Sequence, residues 1–265
     1  MIDVVLLWQQ VFKPRIQRLH KRRTTGRIPM KLHIQNVKKT YDEKEVLKNS
    51  SAVFEQGKIY GLLGRNGSGK TTLFNCISHE IPCEGDVLIE EHGELRKVED
   101  RDIGYAYSSP ILPEFMTGFE YIRFYMDIHA KEIDPAKTID SYFDLMRIVP
   151  KDRHRLIKGY SHGMKNKLQM LGFLISRPKV ILLDEPLTSF DVVVANEMKH
   201  LLLEMKAEHI LIFSTHILQL ASDLCDEIVL LHNGILEQLD HALLQQNDFE
   251  DRIVSLLQEE VKHAG

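Results

Sequence analysis

Gly64-Arg65-Asn66-Gly67-Ser68-Gly69-Lys70-Thr71-Thr72 decides how this chain is read. The apolar run Ile59-Tyr60-Gly61-Leu62-Leu63 before it reads as a short buried strand, and Leu73-Phe74-Asn75-Cys76-Ile77 after it reads as the start of a helix. Strand, glycine-rich loop and helix is the setting of a phosphate-binding loop, and Gly64, Gly69, Lys70 and Thr71 meet the spacing G-x-x-x-x-G-K-[ST]. Glycines let successive backbone N–H groups curl around a polyphosphate without Cβ clashes. The helix N-terminus adds unpaired donors and a positive dipole end. Lys70 supplies a point charge for the outer phosphates and Thr71 a hydroxyl for Mg²⁺. Asn66, Gly67, Ser68 and Thr72 belong to the same expected cradle. The dinucleotide pattern G-x-G-x-x-G fails, because Thr72 stands where its third glycine should be.

A second stretch answers the first. Val180-Ile181-Leu182-Leu183 is a continuous apolar run, as expected of a strand buried on both faces of a parallel sheet, and it ends in Asp184-Glu185. At such a strand end Asp184 can hold Mg²⁺ directly or through water, and Glu185 can polarise a water for attack on a γ-phosphate.

Composition bounds the rest. The 265 residues are 43% hydrophobic and 27% charged, enough for one large domain or two small ones. No apolar run approaches the ~20 residues needed to span a bilayer. Cys76, Cys83 and Cys225 show no C-x-x-C spacing and read as free thiols in a reducing compartment. The other twelve histidines besides His216 show no metal spacing. Net charge is −4, yet residues 1–29 carry seven basic residues against one acid, Asp3. The body is therefore acidic, which argues against a nucleic-acid surface. The basic extension could lie on anionic lipid headgroups or be a leader without function of its own.

In chain order, Lys31–Lys38 alternates and reads as an edge strand, followed by a strand over 46–54. The helix from Lys70 runs to about His79, and strands follow at 86–89 and 102–107. Residues of about 112–177 form a helical insert, in which Phe119, Ile122, Phe124, Tyr125 and Ile128 recur at helical spacing and read as core. A helix over 192–206, a strand at 210–213, a second helix and a hairpin across Asn233-Gly234 complete the body. Residues 241–265 read as a helical tail, amphipathic from about Asp248 to Lys262.

Taken together, these motifs resemble the ATP-binding subunits of ATP-binding-cassette transporters, in order over about residues 31–240. Tyr41 matches the aromatic that stacks on adenine. Ser161-His162-Gly163-Met164-Lys165 is similar to the signature loop, normally Leu-Ser-Gly-Gly-Gln; Ser189-Phe190-Asp191 matches the loop crossing between two cassettes, and His216 the switch histidine. The resemblance implies an α/β fold: a P-loop core sheet, an antiparallel β subdomain (31–55 with the strands near 86–107) and the helical insert, all within residues 30–240. It implies ATP and Mg²⁺ as ligands, with Glu185 and His216 catalytic and Thr71 and Asp184 on the metal. Tyr41, Gly64, Asn66, Gly67, Ser68, Gly69, Lys70, Thr71, Thr72, Ser161 and Gly163 would hold nucleotide. Ser161 and Gly163 would serve the P-loop of a second copy, so a head-to-tail homodimer is expected, working with a transmembrane permease subunit at the cytoplasmic face of the cell membrane and with no nucleic acid.

Two departures stand out. Ser108 occupies the place of a family Gln that touches Mg²⁺ or the attacking water, and a shorter side chain puts metal coordination there in question. His162 and Met164-Lys165 alter the signature, which implies slower hydrolysis. Pro113 to Ile122 resembles exporters of drugs or antimicrobial peptides, and the regulatory C-terminal domain of sugar importers is not matched, so export is expected. The rivals are a non-transport cassette protein acting on ribosomes or DNA, and a weakly hydrolysing regulatory module. The acidic body and the lack of a second cassette or coiled coil count against the first.

Overall fold

The computed structural model describes residues 28–131, 133–186, 192–239, 252, 253 and 255. Among them ten strands form two sheets. The first is antiparallel, in the order β2-β1-β4-β5, from β1 (Lys31–Tyr41), β2 (Lys44–Glu55), β4 (Glu84–Glu91) and β5 (Glu94–Lys97). The second runs β10-β9-β3-β8-β7-β6, from β3 (Ile59–Leu63), β6 (Ile103–Ala106), β7 (Val180–Asp184), β8 (Ile210–Thr215), β9 (Glu227–His232) and β10 (Ile235–Leu239). All its neighbours are parallel except β10, which closes a hairpin on β9. Asn233 and Gly234 both have positive φ (50° and 76°) at that turn, as a two-residue hairpin demands.

Apolar runs without alternation become strands buried on both faces. Val180 and Leu182 of β7, and Ile210 and Ile212 of β8, pack with Leu73 and Phe74 of α1 (Lys70–Ile77) and with the antiparallel sheet. Ile181, Leu183, Leu211 and Phe213 point the other way, onto the helical insert and α6 (Val192–Met205). Each such side chain contributes about 1.5–3 kcal/mol by leaving water, which fixes the sheet as the central layer.

The insert holds α2 (Gly118–Ile128), α3 (Ile139–Leu145), α4 (Pro150–Arg153) and α5 (His162–Ser176). Thr117 and Glu120 begin α2 with a reciprocal capping box: the Thr117 hydroxyl accepts from Glu120 N–H at 3.2 Å, and Glu120 Oε2 accepts from Thr117 N–H at 2.8 Å. Arg177 ends α5 in the left-handed region (φ 47°), and Pro178 blocks its continuation. After β8, α7 (Leu218–Leu224) returns the chain to β9.

Three sequence expectations change, and one strand was not anticipated. Strand β1 lies between β2 and β4 rather than at an edge; alternation reports one buried face, not who lies alongside. Strand β6 belongs to the parallel sheet beside β7, not to the antiparallel part. Gly104 permits this, since a Cβ there would lie 2.7 Å from Pro178 Cγ and 3.0 Å from the Phe173 ring. Strand β5 had no apolar signal, having only the exposed Leu95. The aromatic stripe is half core: Ile122 is buried and Phe119 and Tyr125 pack against the cluster, while Phe124 and Ile128 are 53% and 61% exposed. The basic extension lies outside the described residues except for residues 28 and 29, and so does the tail except for three positions. Of these, Arg252, Ile253 and Ser255 are helical, and Ile253 is buried against Leu63 and Leu230.

Candidate functional site

The loops after β3, β6, β7 and β8 meet at the C-terminal ends of adjacent parallel strands, the edge where open α/β sheets bind ligands. A cleft of about 450 Å³ opens there, lined by Tyr41, Val46, Asn66, Gly67, Gly69, Lys70, Thr71, Thr72, Ser108, Asp184 and Glu185. That volume suits a nucleotide-sized ligand.

The glycine-rich loop is shaped by its backbone. Gly67 and Gly69 take positive φ (81° and 106°), and Ser68 N–H donates to the Arg65 carbonyl at 3.1 Å. A Cβ at Gly69 would lie 2.8 Å from Val46 Cγ1, so strand β2 presses directly on the loop. The first turn of α1 carries no side-chain cap and no acidic residue, leaving its N–H groups for an anion. Ser68 Oγ is buried with no hydrogen-bond partner among the described residues. An orphaned donor in a cradle of N–H groups fits a phosphate oxygen.

Lys70 is buried, and its Nζ donates to the carbonyls of Gly64 (2.8 Å) and Arg65 (3.1 Å). Burial holds its pKa below the usual lysine value; Glu185 and Asp184 oppose that shift without cancelling it. A polyanion would replace the two carbonyls and favour the charged form.

The carboxylates sit opposite. Asp184 Oδ2 accepts from Thr71 Oγ1 at 2.9 Å and Oδ1 from Ser214 Oγ at 2.5 Å. The two expected metal ligands are therefore already in contact, and a hydroxyl beside a carboxylate is an oxygen donor set suited to Mg²⁺. Glu185 has φ 49°, rare for a non-glycine residue, and its N–H donates to both the carbonyl (3.2 Å) and hydroxyl (3.1 Å) of Ser214. Its Oε1 lies 2.9 Å from His216 Nδ1.

The structure gathers most of the expected residues here. His216 does not line the cleft and reaches it through Glu185. Ser108 does line it, beside the two carboxylates. Ser161 and Gly163 do not: Ser161 caps α5, its hydroxyl accepting from Met164 N–H at 3.3 Å, at an exposed position. Ser189, Phe190 and Asp191 lie outside the described residues. Sequence reasoning missed Val46, Tyr105 and Ser214. Tyr105, on β6, keeps a buried hydroxyl whose pKa is pushed up by burial and then by the Asp184 charge. Only the polar Ser214-Thr215 pair closing the apolar run of β8 could have signalled Ser214.

The family model described as ABC transporter matches residues 47–188, more than half of the chain. This chain belongs to the ABC transporter family. It is an ATP-binding, ATP-hydrolysing subunit of a transporter. This ABC subunit is 31% identical over 206 residues to the uncharacterized ABC transporter ATP-binding protein YxlF of Bacillus subtilis (strain 168), spanning 77% of this chain and 68% of that protein. It is 30% identical over 220 residues to the sulfate/thiosulfate import ATP-binding protein CysA of Pseudomonas syringae pv. tomato, spanning 79% and 67%. Its fold matches, with TM-score 0.65 and 18% identity over 79% of this chain and 98% of the other, an ATP-binding cassette solved as a dimer in a post-hydrolysis state bound to ADP and Pi. Among the described residues no helix is long and apolar enough to cross a membrane.

Proposed function

We propose that this subunit drives transport through a separate membrane chain by hydrolysing Mg-ATP between two copies of itself. One observation carries the reading: the P-loop, Ser108, Asp184 and Glu185 converge on one cleft at one sheet edge. Tyr41 stacks on the base, the loop N–H groups and Ser68 hold the phosphates, and Lys70 clamps the outer ones. Thr71 and Asp184 would hold Mg²⁺, which would supply charge neutralisation at the outer phosphates. Glu185 takes the proton of the attacking water, and His216, bonded to it, orients that carboxylate. Ser161 and Gly163, outside their own cleft, serve the partner's nucleotide. The solved cassette dimer supports the pairing of two copies.

The exposed Ile111 and Phe115, 72% and 82% accessible at the entry to the helical insert, support docking of the membrane chain there. Export is the direction proposed, on the likeness of residues 113–122 to exporter ATPases. The second reading, import, rests on 30% identity to CysA. Reconstituting the co-purified membrane chain in vesicles and following which way cargo moves decides between them. The test of the site is Lys70→Ala. Losing a charge clamp on the phosphates should abolish phosphate release and lower ATP affinity at least ~10-fold. Unchanged ATP binding in a fluorescence titration removes the assignment.

A further inference from the structure

We infer that Ser214 is a positioning residue for this site, fixing the metal-binding carboxylate and the general base with one hydroxyl. This inference rests on the site reading given above. Ser214 is fully buried on β8, where it pairs across the sheet with Leu62 of the P-loop strand and with Asp184 of β7. A serine hydroxyl has one proton to donate and lone pairs to accept. Here the proton goes to Asp184 Oδ1 at 2.5 Å, and a lone pair takes the Glu185 N–H at 3.1 Å.

Each bond has a separate consequence. The charge-assisted bond to Oδ1 locks the Asp184 rotamer and turns Oδ2 toward Thr71 and the cleft. Thr71 Oγ1 and Asp184 Oδ2 would both be needed to hold Mg²⁺, so their mutual bond would be given up to it. The Ser214 bond lies behind the carboxylate and can persist. The bond from Glu185 N–H, together with the one to the Ser214 carbonyl, holds a left-handed residue whose side chain must reach the water. Ser214 does not line the cleft. It acts as the outer partner that orients a ligating carboxylate, and loss of such a partner typically costs ~10–100-fold in metal affinity or activity.

The experiment uses the full chain and a fluorescent ATP analogue, titrated in EDTA and across Mg²⁺ concentrations, with phosphate release measured in parallel. In Ser214→Ala, the Mg²⁺ concentration for half-maximal binding should rise ~10–100-fold, kcat should fall, and affinity in EDTA should stay within twofold of wild type. Ser214→Cys, of similar size but a weak donor, should fall between the two and carries the test if the alanine variant does not fold. A parallel loss of affinity in EDTA would mark a general packing defect and overturn the positioning role. Wild-type Mg²⁺ dependence and kcat in Ser214→Ala would overturn it as well. Asp184→Asn separates the two levels. If it loses Mg²⁺ dependence while Ser214→Ala does not, only the Ser214 inference falls; if it keeps that dependence, the site reading beneath it falls.

Discussion

Replacing Glu185 by Gln keeps the size of the side chain and removes its charge. The backbone should not move, because the N–H of residue 185 is held by two oxygens of Ser214, not by its own carboxylate. In the free protein the substitution disturbs the hydrogen-bonded contact with His216 Nδ1 at 2.9 Å, whose partners are 46% and 25% exposed. An exposed pair of this kind contributes about 0.2–1 kcal/mol, so Tm should drop by no more than about 4 °C. The chemical step is a different scale. Loss of a positioned base costs about 10²–10⁴ in rate, or roughly 3–5.5 kcal/mol. On the proposed reading Lys70, Thr71 and Asp184 would still hold Mg-ATP, so a variant that binds but cannot cleave should accumulate as a closed dimer. Single-turnover phosphate release gives the rate, and size-exclusion chromatography with Mg-ATP gives the dimer. A second change, Ser161→Arg, should abolish the dimer by filling the composite site. Phosphate release within threefold of wild type would remove Glu185 from the mechanism, and a monomer saturated with ATP would refute the composite site.

Gly69→Ala puts a Cβ 2.8 Å from Val46 Cγ1 at φ 106°, a strain of about 1–3 kcal/mol that the loop can relieve only by turning an N–H away from the phosphate. Nucleotide affinity should fall about 10–100-fold, and a wild-type Kd would show the loop to be softer than drawn. Burial lowers the pKa of His209 below its ordinary 6.5, the Nδ1–H donating to the Pro178 carbonyl at 2.5 Å. Between the two pKa values the unfolded chain binds a proton that the folded chain does not, so this contribution is full above pH 6.5 and is lost as pH falls below it. His209→Asn should flatten the fall of Tm between pH 7 and 5; an unchanged slope would assign that fall to other groups. Leu182→Ala, at a fully buried position between sheet and α1, should cost about 2–5 kcal/mol and lower Tm by roughly 4–20 °C, with a shift under 2 °C contradicting the packing described.

The phosphate loop and Asp184-Glu185 were legible because their chemistry dictates residue types at fixed spacing on one continuous piece of chain. The strands of the parallel sheet were legible for a similar reason: burial on both faces leaves an unbroken apolar run. What escaped depends on lateral neighbours. The partners of β1 and the sheet of β6 are set by pairing over long separations, and Gly104 admits the close approach only once Pro178 and Phe173 are in place. Ser214 escaped because a serine ending an apolar strand has no pattern of its own. Its role appears when β8 lies against β7. Phe124 lies on the face of α2 turned away from the cluster, between the buried Ile122 and the packed Tyr125, and Ile128 is the exposed last residue of the helix.

Strand β3 has no neighbour close by in sequence: Ile59 pairs with Leu211, and Tyr60 with Glu227. During synthesis at ~5–20 residues per second, the P-loop strand waits roughly seven to thirty seconds before either partner has been made. Throughout that interval both its edges are open. Polypeptides released before β8 should therefore aggregate, and folding of the whole chain should be slow, as long-range parallel pairing requires. The part of this protein that reads most clearly as sequence is among the last to become structure.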